Sequence, residues 1–338
     1  METKREVVPA AEEILGKYFR VLDHGFVSLL DYCGSDLSIC QAARVSYGAG
    51  TKGTADDRAL LRYMLKHGHT SPYEQVILKF HVKLPVFVAR QLIRHRTASV
   101  NEYSMRYSLP VMQFYMPKPN DMGTQSKKNK QGRAEPVSSE QADIIQNKWK
   151  EMQVSAVEFY EHLISKEIDM AREIARIGLP LSIYTEWFWT IDLHNLLHFM
   201  SLRSDGHAQW EIQQFSNVKA AMVRRVAPIA YEAWIDYKFQ GHHFSRMEMV
   251  VLREMVKYSV RRSFKIIEKH QVSIDTDPWI TKRCEELGMG KREIDEFIEA
   301  VFGQDRFSKP INFELNPADG LSGEVLLAEA QQYVPRSL

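Results

Sequence analysis

Cysteine is scarce in this chain. The 338 residues include three cysteines, Cys33, Cys40 and Cys284, which stand far from one another or in unrelated contexts. Three thiols in this arrangement make neither a disulfide framework nor a metal-binding knuckle. We therefore expect them to be small buried side chains without a chemical role.

The chain also lacks an excess of one charge and a long apolar run. Its 44 Lys and Arg residues balance 43 Asp and Glu residues, which gives a formal net charge of +1. A nearly neutral chain generates no long-range field for a polyanion, so we expect no nucleic-acid partner. Residues 1–6 carry charges with no apolar run behind them, which predicts no signal peptide and no membrane span. We expect a cytoplasmic protein that does not bind membranes.

The order of the predicted elements indicates the α+β class. Alternating side chains predict strands at residues 25–33 and 76–84. The predicted helices are, in chain order, 37–47, 55–67, 140–177, 245–269 and 290–302. Between 177 and about 238 we expect further helix, with breaks at 178–180 and near 205–206. We expect a small, mainly antiparallel sheet in the N-terminal part, a large helical part, and a helical C-terminal extension.

One short segment concentrates groups that bind anions. Residues 94–106 contain three arginines, a histidine, a glutamate, two serines and an asparagine. Arginine offers a planar fork of donors that suits phosphate and the imide edge of a uracil-like ring. A helix that begins near Pro85 would place Gln91 and Arg94 on one face, three residues apart. The segment therefore predicts an anion site at the end of this helix.

The residues after this helix end extend the predicted site if they form a strand. Strand side chains alternate, so an extended segment at residues 100–106 would point Glu102, Ser104 and Arg106 to one side. Two other readings stay open, since a basic cluster can be a solvated surface patch or a contact for nucleic-acid phosphates. The glutamate inside the cluster and the balanced net charge fit both poorly.

Four segments of the chain resemble the motifs of the flavin-dependent thymidylate synthases. The signature has the form Arg-His-Arg, seven residues, then Ser, and it begins here at Arg94. The other motifs stand in the family's order and at its approximate spacing. The matching segments are 68–74, 94–106, 175–185 and 202–212. The resemblance spans about residues 20–240, so we expect a catalytic domain at 1–240 and an extension of unknown role at 241–338.

The resemblance implies FAD as cofactor, NADPH and methylenetetrahydrofolate as co-substrates, and dUMP as the nucleotide that becomes dTMP. It also implies a homotetramer with active sites shared between subunits. The residues that it assigns to the flavin are His69, Ser71, Glu74, Arg94, His95, Arg96, Glu102, Asp192, His194 and His198. Those that it assigns to the nucleotide are Gln91, Arg94, Glu102, Tyr103, Ser104, Met105, Arg106, Arg176 and Arg203. Arg203 is the implied catalytic residue, at the uracil edge.

Two alternatives concern chemistry that the family does not use. Folate-dependent synthases without flavin have a cysteine nucleophile in a Pro-Cys-His setting, and none of the cysteines here has that context. His194 and His198 share a helix face, but a zinc-protease site would have Glu after the first histidine, where Asn195 stands. We therefore expect no metal. These histidines are either flavin contacts or helix residues with local hydrogen bonds.

Residues 117–140 are polar and rich in turn formers. A loop of this length is usually a functional cover or a solvated segment. We expect a mobile cover over the nucleotide or, equally, a loop that does not respond to ligand.

Two rival functions fit the sequence less well: a flavoprotein that oxidises NADPH without methyl transfer, and a non-catalytic nucleotide-binding protein.

Overall fold

The structure is a computed structural model that describes residues 6–45, 57–127, 132–266, 278–289, 291–302 and 311–326. Its packing divides the chain into two units. Unit 1 comprises Met1–Trp234 and Asn312–Leu338, and unit 2 comprises Ile235–Ile311. The strands of the described residues, the predicted site segments and the cavity discussed below all belong to unit 1.

The strands form two antiparallel sheets within the described residues. In chain order they are β1 (Tyr18–Val21), β2 (Gly25–Cys33), β3 (Ile77–Pro85), β4 (Ser99–Glu102), β5 (Gly123–Gln125), β6 (Arg133–Pro136) and β7 (Tyr184–Asp192). The main sheet has five strands in the order β1-β2-β3-β7-β4, and β5 pairs with β6. In the main sheet β4 is an edge strand beside β7, so its residues face solvent and can meet a ligand.

The helices follow the same chain numbering. They are α1 (Pro9–Glu12), α2 (Asp36–Val45), α3 (Asp57–His67), α4 (Val86–Leu92), α5 (Ser139–Leu163), α6 (Arg172–Ala175), α7 (Leu193–Arg203), α8 (Trp210–Val226), α9 (Pro228–Trp234), α10 (Arg246–Ile266), α11 (Pro278–Glu286) and α12 (Lys291–Phe302). Short 3₁₀ turns lie at Tyr73–Gln75, Pro119–Asp121, Arg176–Gly178 and Pro317–Asp319, and a π-helical turn at Ile235–Phe239.

The α+β prediction is confirmed, and most predicted elements lie within a residue or two of the observed ones. The strand predicted at 25–33 is β2, and that at 76–84 is β3. The helices predicted at 37–47, 55–67, 245–269 and 290–302 correspond to α2, α3, α10 and α12, with the remaining predicted residues mostly outside the described ranges. Sequence patterns therefore predicted the positions of β2, β3 and these four helices.

The prediction of helix over 140–177, and of further helix after the break at 178–180, is wrong in two places. The helix α5 ends at Leu163, and Asp169 has a left-handed φ of 50°. Residues Tyr184–Asp192 form β7, an inner strand of the sheet between β3 and β4. Trp187, Trp189 and Ile191 of β7 are buried, and they alternate with less buried neighbours. Aromatic and β-branched side chains at period two favour a strand over a helix. The sequence does contain this signal.

The core of unit 1 lies between the sheet and α8. Phe80 of β3, Trp189 of β7, Phe199 of α7 and Phe215 of α8 are fully buried, and the Trp189 ring contacts those of Phe80 and Phe199. Lys219 of α8 is also fully buried, with its Nζ 5.4 Å from the centroids of both Trp189 and Phe199. This core fixes the relative positions of β7, α7 and α8, which carry much of the candidate site.

The described residues after residue 234 pack in two places. In unit 2, Val251, Cys284 and Phe297 belong to a separate buried cluster that joins α10, α11 and α12. Residues 312–326 pack with unit 1, where Leu321 exchanges two 2.9 Å backbone hydrogen bonds with Tyr18 of β1. The functional boundary predicted at residue 240 stays a prediction. A search of the described helices for one long and apolar enough to span a membrane finds none.

Candidate active site

The arginine-rich segment, which begins at Arg94 directly after α4, lies beside the end of α7. β3 ends at Pro85, which is the N-cap of α4 with φ −63°, as proline's fixed backbone angle favours. After Leu92 the chain continues as tight turns, because the Arg94 and His95 amides donate to Gln91 and Leu92 carbonyls at 3.3 and 3.0 Å. The helix predicted to begin near Pro85 is confirmed as α4, but it ends at Leu92, so Gln91 and Arg94 do not share a helix face. The turn keeps the two residues adjacent.

These turns and α7 enclose a cavity of about 350 Å³. The lining residues are Arg94, His95, Arg96, Thr97, Ile191, Asn195, His198, Leu202 and Arg203. Among the described residues that line it, none is acidic. Three guanidinium groups, two imidazoles and an amide around one cavity suit a ligand that is anionic and rich in hydrogen-bond acceptors.

His95 and Arg203 are joined directly. The Arg203 Nε donates to His95 Nε2 at 3.1 Å, so His95 must be neutral with its proton on Nδ1. Burial, together with the nearby Arg203 and His198, lowers the pKa of His95 to about 4. The His95 ring packs edge-on against the Phe199 ring, with 4.9 Å between the ring centroids. His95 is therefore a fixed acceptor that orients the Arg203 guanidinium at neutral pH.

The Arg203 guanidinium lies in a partly buried, positive environment. Burial lowers its pKa, and the charge of Arg94 lowers it further. Two guanidinium groups that repel each other at the wall of one cavity are stabilised when an anion lies between them. The predicted residues Arg94, His95, Arg96, His198 and Arg203 are thus brought together, and their arrangement favours an anionic ligand.

The extended conformation considered for residues 100–106 is wrong beyond Glu102. β4 ends there, and Ser104, Met105 and Arg106 form a turn in which the Arg106 amide donates to Ser104 Oγ at 3.3 Å. The Tyr103 hydroxyl donates to the Leu109 carbonyl at 2.6 Å, which holds the turn back on itself. The Tyr103 amide still donates to the Glu186 carbonyl of β7 at 2.9 Å, and from Ser104 onward the backbone bonds locally in the turn.

Glu102 faces β7 at the sheet edge. Its carboxylate accepts a 2.8 Å hydrogen bond from the buried Thr185 hydroxyl. The turn that follows adjoins α6, since Arg106 pairs with Glu173 at 3.3 Å and Arg172 donates to the Tyr107 carbonyl at 3.1 Å. Arg176 begins the 3₁₀ turn directly after α6.

The histidine-containing loop before β3 lies near the start of α7 but does not line the cavity. In the sheet Ile77 is paired with Asp192, and the Leu193 amide donates to the Val76 carbonyl at 2.7 Å. His69, Ser71 and Glu74 are exposed. The Glu74 carboxylate accepts a long, 3.5 Å hydrogen bond from Thr70. The buried Tyr73 anchors this loop through a 2.8 Å bond to the Leu61 carbonyl.

Asp192 and the α7 histidines have different surroundings. Asp192 is the N-cap of α7, and its two carboxylate oxygens accept from the Asn195 backbone and side-chain nitrogens at 2.9 and 2.7 Å. His198 lines the cavity, whereas His194 does not. Asn195, which the sequence analysis treated only as evidence against zinc, lines the cavity between them.

A second set of residues contacts the site and was missed. Gln91 donates to the Gln209 side chain, and the Gln209 amide donates to Glu211 at 2.8 Å. Glu211 accepts from Arg133, on β6, with both oxygens 2.7–2.8 Å from one guanidinium nitrogen. Gln209 and Glu211 lie inside a recognised motif, but Arg133 lies in the polar segment 117–140, where its contact across the fold has no local signal.

The thiols lie away from this cavity. None of the three cysteines is among its described lining residues. The expectation that all three are buried is wrong for Cys33, which is exposed, whereas Cys40 and Cys284 are buried. Burial, and then the charge of Asp57, raises the pKa of the Cys40 thiol to about 11, and burial also raises the pKa of Cys284. A raised thiol pKa disfavours the thiolate that a nucleophilic cysteine needs.

Comparison with known proteins finds close relatives. A family model described as thymidylate synthase complementing protein matches residues 28–229. The chain is 48% identical over 299 residues to a flavin-dependent thymidylate synthase of Ehrlichia ruminantium (strain Gardel), covering 88% of this chain and 93% of that relative. It is 50% identical over 251 residues to the enzyme of the same description from Treponema pallidum (strain Nichols), covering 74% and 82%.

The Ehrlichia alignment corrects the span stated from motifs. An alignment of 299 residues cannot fit within residues 1–240, so the resemblance continues into the C-terminal extension. Among solved structures, the UMP/dUMP methylase PolB from Streptomyces cacaoi bound with 5-Br UMP superimposes with a TM-score of 0.58. It is 30% identical and covers 65% of this chain and 98% of that one. The same protein bound with 5-Br dUMP gives 0.58 at 31% identity.

Proposed function

The chain belongs to the family of flavin-dependent thymidylate synthases, and on that premise we propose that it methylates dUMP to dTMP with FAD as cofactor. Methylenetetrahydrofolate is the proposed carbon donor and NADPH the reductant. The observation that carries the proposal is the cavity lined by Arg94, His95, Arg96 and Arg203. Its cationic donors come from two of the family's motifs, segment 94–106 with the signature and segment 202–212 with Arg203.

The residues around this cavity fit a flavin dinucleotide. Its pyrophosphate is an anion, and the forked donors of Arg94 and Arg96 suit it. Asn195 and His198 add donors and acceptors for the neutral parts of the cofactor. When bound, FAD would supply the hydride-transfer chemistry. We assign cofactor contacts also to His69, Ser71, Glu74, Glu102, Asp192 and His194, which lie around the start of α7 or at the sheet edge.

The nucleotide would lie beside the flavin, with its phosphate at the turn after β4. Ser104 and Arg106 form that turn, and α6, with Arg176 at its end, adjoins it. The pairing of Arg106 with the exposed Glu173 is a contact that a substrate phosphate would replace. Tyr103 and Met105 are the neighbours of Ser104 in this turn. Gln91 would approach the nucleotide from α4, and Glu102 from β4.

Arg203 is the proposed catalytic residue. His95 fixes its guanidinium through the 3.1 Å hydrogen bond, and Arg94 increases the positive potential beside it. A fixed guanidinium at the uracil edge stabilises negative charge that develops on the ring during methyl transfer, and one such group typically contributes about 10²–10³ in rate. We propose that no cysteine takes part, which is supported by the raised pKa of Cys40 and by its absence from the described lining of the cavity.

We further propose that the protein acts as a homotetramer in which neighbouring subunits complete each site. The test of the proposed activity is release of tritium from carbon 5 of labelled dUMP by FAD-loaded protein. Release that requires methylenetetrahydrofolate supports methyl transfer. NADPH oxidation without tritium release would instead identify an oxidase, and absence of bound flavin would favour a nucleotide-binding protein.

A further inference from the structure

Glu211 is a buried carboxylate with three partners. It is the second residue of α8, and its side chain is 5% exposed. Arg133 donates to both of its oxygens at 2.7 and 2.8 Å, and the Tyr115 hydroxyl donates at 3.1 Å. Burial and the charge of Glu211 raise the pKa of Tyr115, so this hydroxyl stays protonated and donates. A buried charge needs such partners, since leaving it unpaired is costly.

The carboxylate determines the direction of the next two hydrogen bonds. A carboxylate only accepts, so Gln209 must turn its NH₂ group toward Glu211, at 2.8 Å. The Gln209 carbonyl oxygen then faces Gln91, which must donate through its own Nε2. Among the described contacts, this leaves the carbonyl oxygen and one N–H of the Gln91 amide for a ligand, in an orientation set by Glu211.

We propose that Glu211 and Arg133 are positioning residues for the nucleotide site, which act through Gln209 to fix the orientation of the Gln91 amide. Arg133 balances the charge of Glu211 through its two hydrogen bonds, and it lies on the hairpin β5–β6 with its guanidinium 5.8 Å from the centroid of the Trp210 ring. The hairpin is thereby connected to Gln91 by three consecutive side-chain hydrogen bonds. This inference rests on the proposed function, in which Gln91 contacts dUMP.

The variant Glu211→Gln tests the direction of the chain of bonds. A neutral amide has nearly the same shape, but it can donate as well as accept, so Gln209 and Gln91 lose their single orientation. We expect dUMP to bind roughly three- to tenfold more weakly, the range for one hydrogen bond. KM for dUMP should rise while kcat changes little, because Gln91 contributes to binding rather than to the transition state.

A double-mutant cycle separates this positioning role from a general structural one. Dissociation constants for dUMP are measured on FAD-loaded full-length protein for wild type, Glu211→Gln, Gln91→Ala and the double variant. In the Gln91→Ala background, Glu211→Gln should change the constant by less than about twofold, since coupled residues are not additive. Full additivity would overturn the inference. The matched control is Glu135→Gln, at an exposed residue of β6, the strand that also carries Arg133. This variant should bind dUMP like wild type.

A second variant keeps the test decisive if Glu211→Gln does not fold. Gln209→Leu breaks the chain at an exposed residue and leaves Glu211 with Arg133. It should give the same weaker dUMP binding and the same lack of effect in the Gln91→Ala background. If Gln209→Leu binds dUMP like wild type, the inference is wrong. If wild-type protein with FAD does not bind dUMP at all, the proposed function fails, and with it the premise on which this inference rests.

Discussion

Lys219 makes the stability of this protein depend on pH in a way that a single substitution should reveal. The side chain is fully buried, and its Nζ has a long 3.4 Å hydrogen bond to the Phe215 carbonyl. Burial lowers its pKa from 10.5 to about 7. Three aromatic rings, with centroids at 5.4–5.7 Å, favour the charged form and offset part of this effect.

The sign and size of the effect follow from linkage. Above about pH 10.5 the amine is neutral in both states, and the shift contributes nothing. As pH falls toward 7, the unfolded chain binds a proton that the folded protein does not, so stability decreases. Below pH 7 the loss is complete. At about 1.36 kcal/mol per pKa unit, the lowering from 10.5 to about 7 corresponds to roughly 5 kcal/mol, an upper value.

We therefore expect Lys219→Met to stabilise the protein by about 2–4 kcal/mol at pH 7, since replacing a buried charge by an apolar side chain often does so. The gain should shrink by more than half at pH 9.5. Urea unfolding of the FAD-loaded protein, followed by tryptophan fluorescence at both pH values, measures it. Lys79→Met, at an exposed lysine 5.7 Å from one ring centroid, should show no such pH dependence. A destabilised Lys219→Met, or an equal gain at both pH values, would refute the reasoning.

Three further predictions concern the site. Arg203→Ala should lower the turnover rate for dTMP by about 10²–10³ while FAD absorbance is retained, and near wild-type turnover at saturating dUMP would remove its catalytic role. His95→Ala should weaken FAD retention during gel filtration, because the ring lines the cavity and orients Arg203; Lys127→Ala is the exposed-segment control, and equal retention by both variants would contradict the assignment. Replacing the three cysteines together by Ala should leave dTMP formation intact in a folded protein, as measured by product chromatography, and inactivity with normal FAD binding would require a covalent route.

Elements that depend on nearby residues could be predicted from the sequence. The strand β2 and the helix end at Leu92 follow from alternation and from Pro85, and the arginine-rich segment was visible as a cluster of charges. The strand β7 was missed, although its buried residues alternate, because the segment after the predicted break at 178–180 was assigned to helix like its neighbours.

Contacts that join distant segments could not be predicted in this way. The bond from Arg203 to His95 connects residues 108 positions apart, and that from Arg133 to Glu211 connects residues 78 positions apart. Neither residue of a pair carries a sequence signal for its partner. The first bond joins α7 to the turn after α4, and the second joins the hairpin β5–β6 to α8. The turn at Ser104 was also missed, because a strand and a turn of the same polar residues look alike in sequence.

The most direct test of the central claim is a product balance on the FAD-loaded protein. The protein is incubated with dUMP, methylenetetrahydrofolate and NADPH, and dTMP formed is compared with NADPH consumed. We predict that dTMP forms, that it matches the NADPH consumed, and that omitting the folate abolishes it. Oxidation of NADPH with no dTMP, in the presence of bound FAD and all co-substrates, would contradict the claim that this chain is a thymidylate synthase.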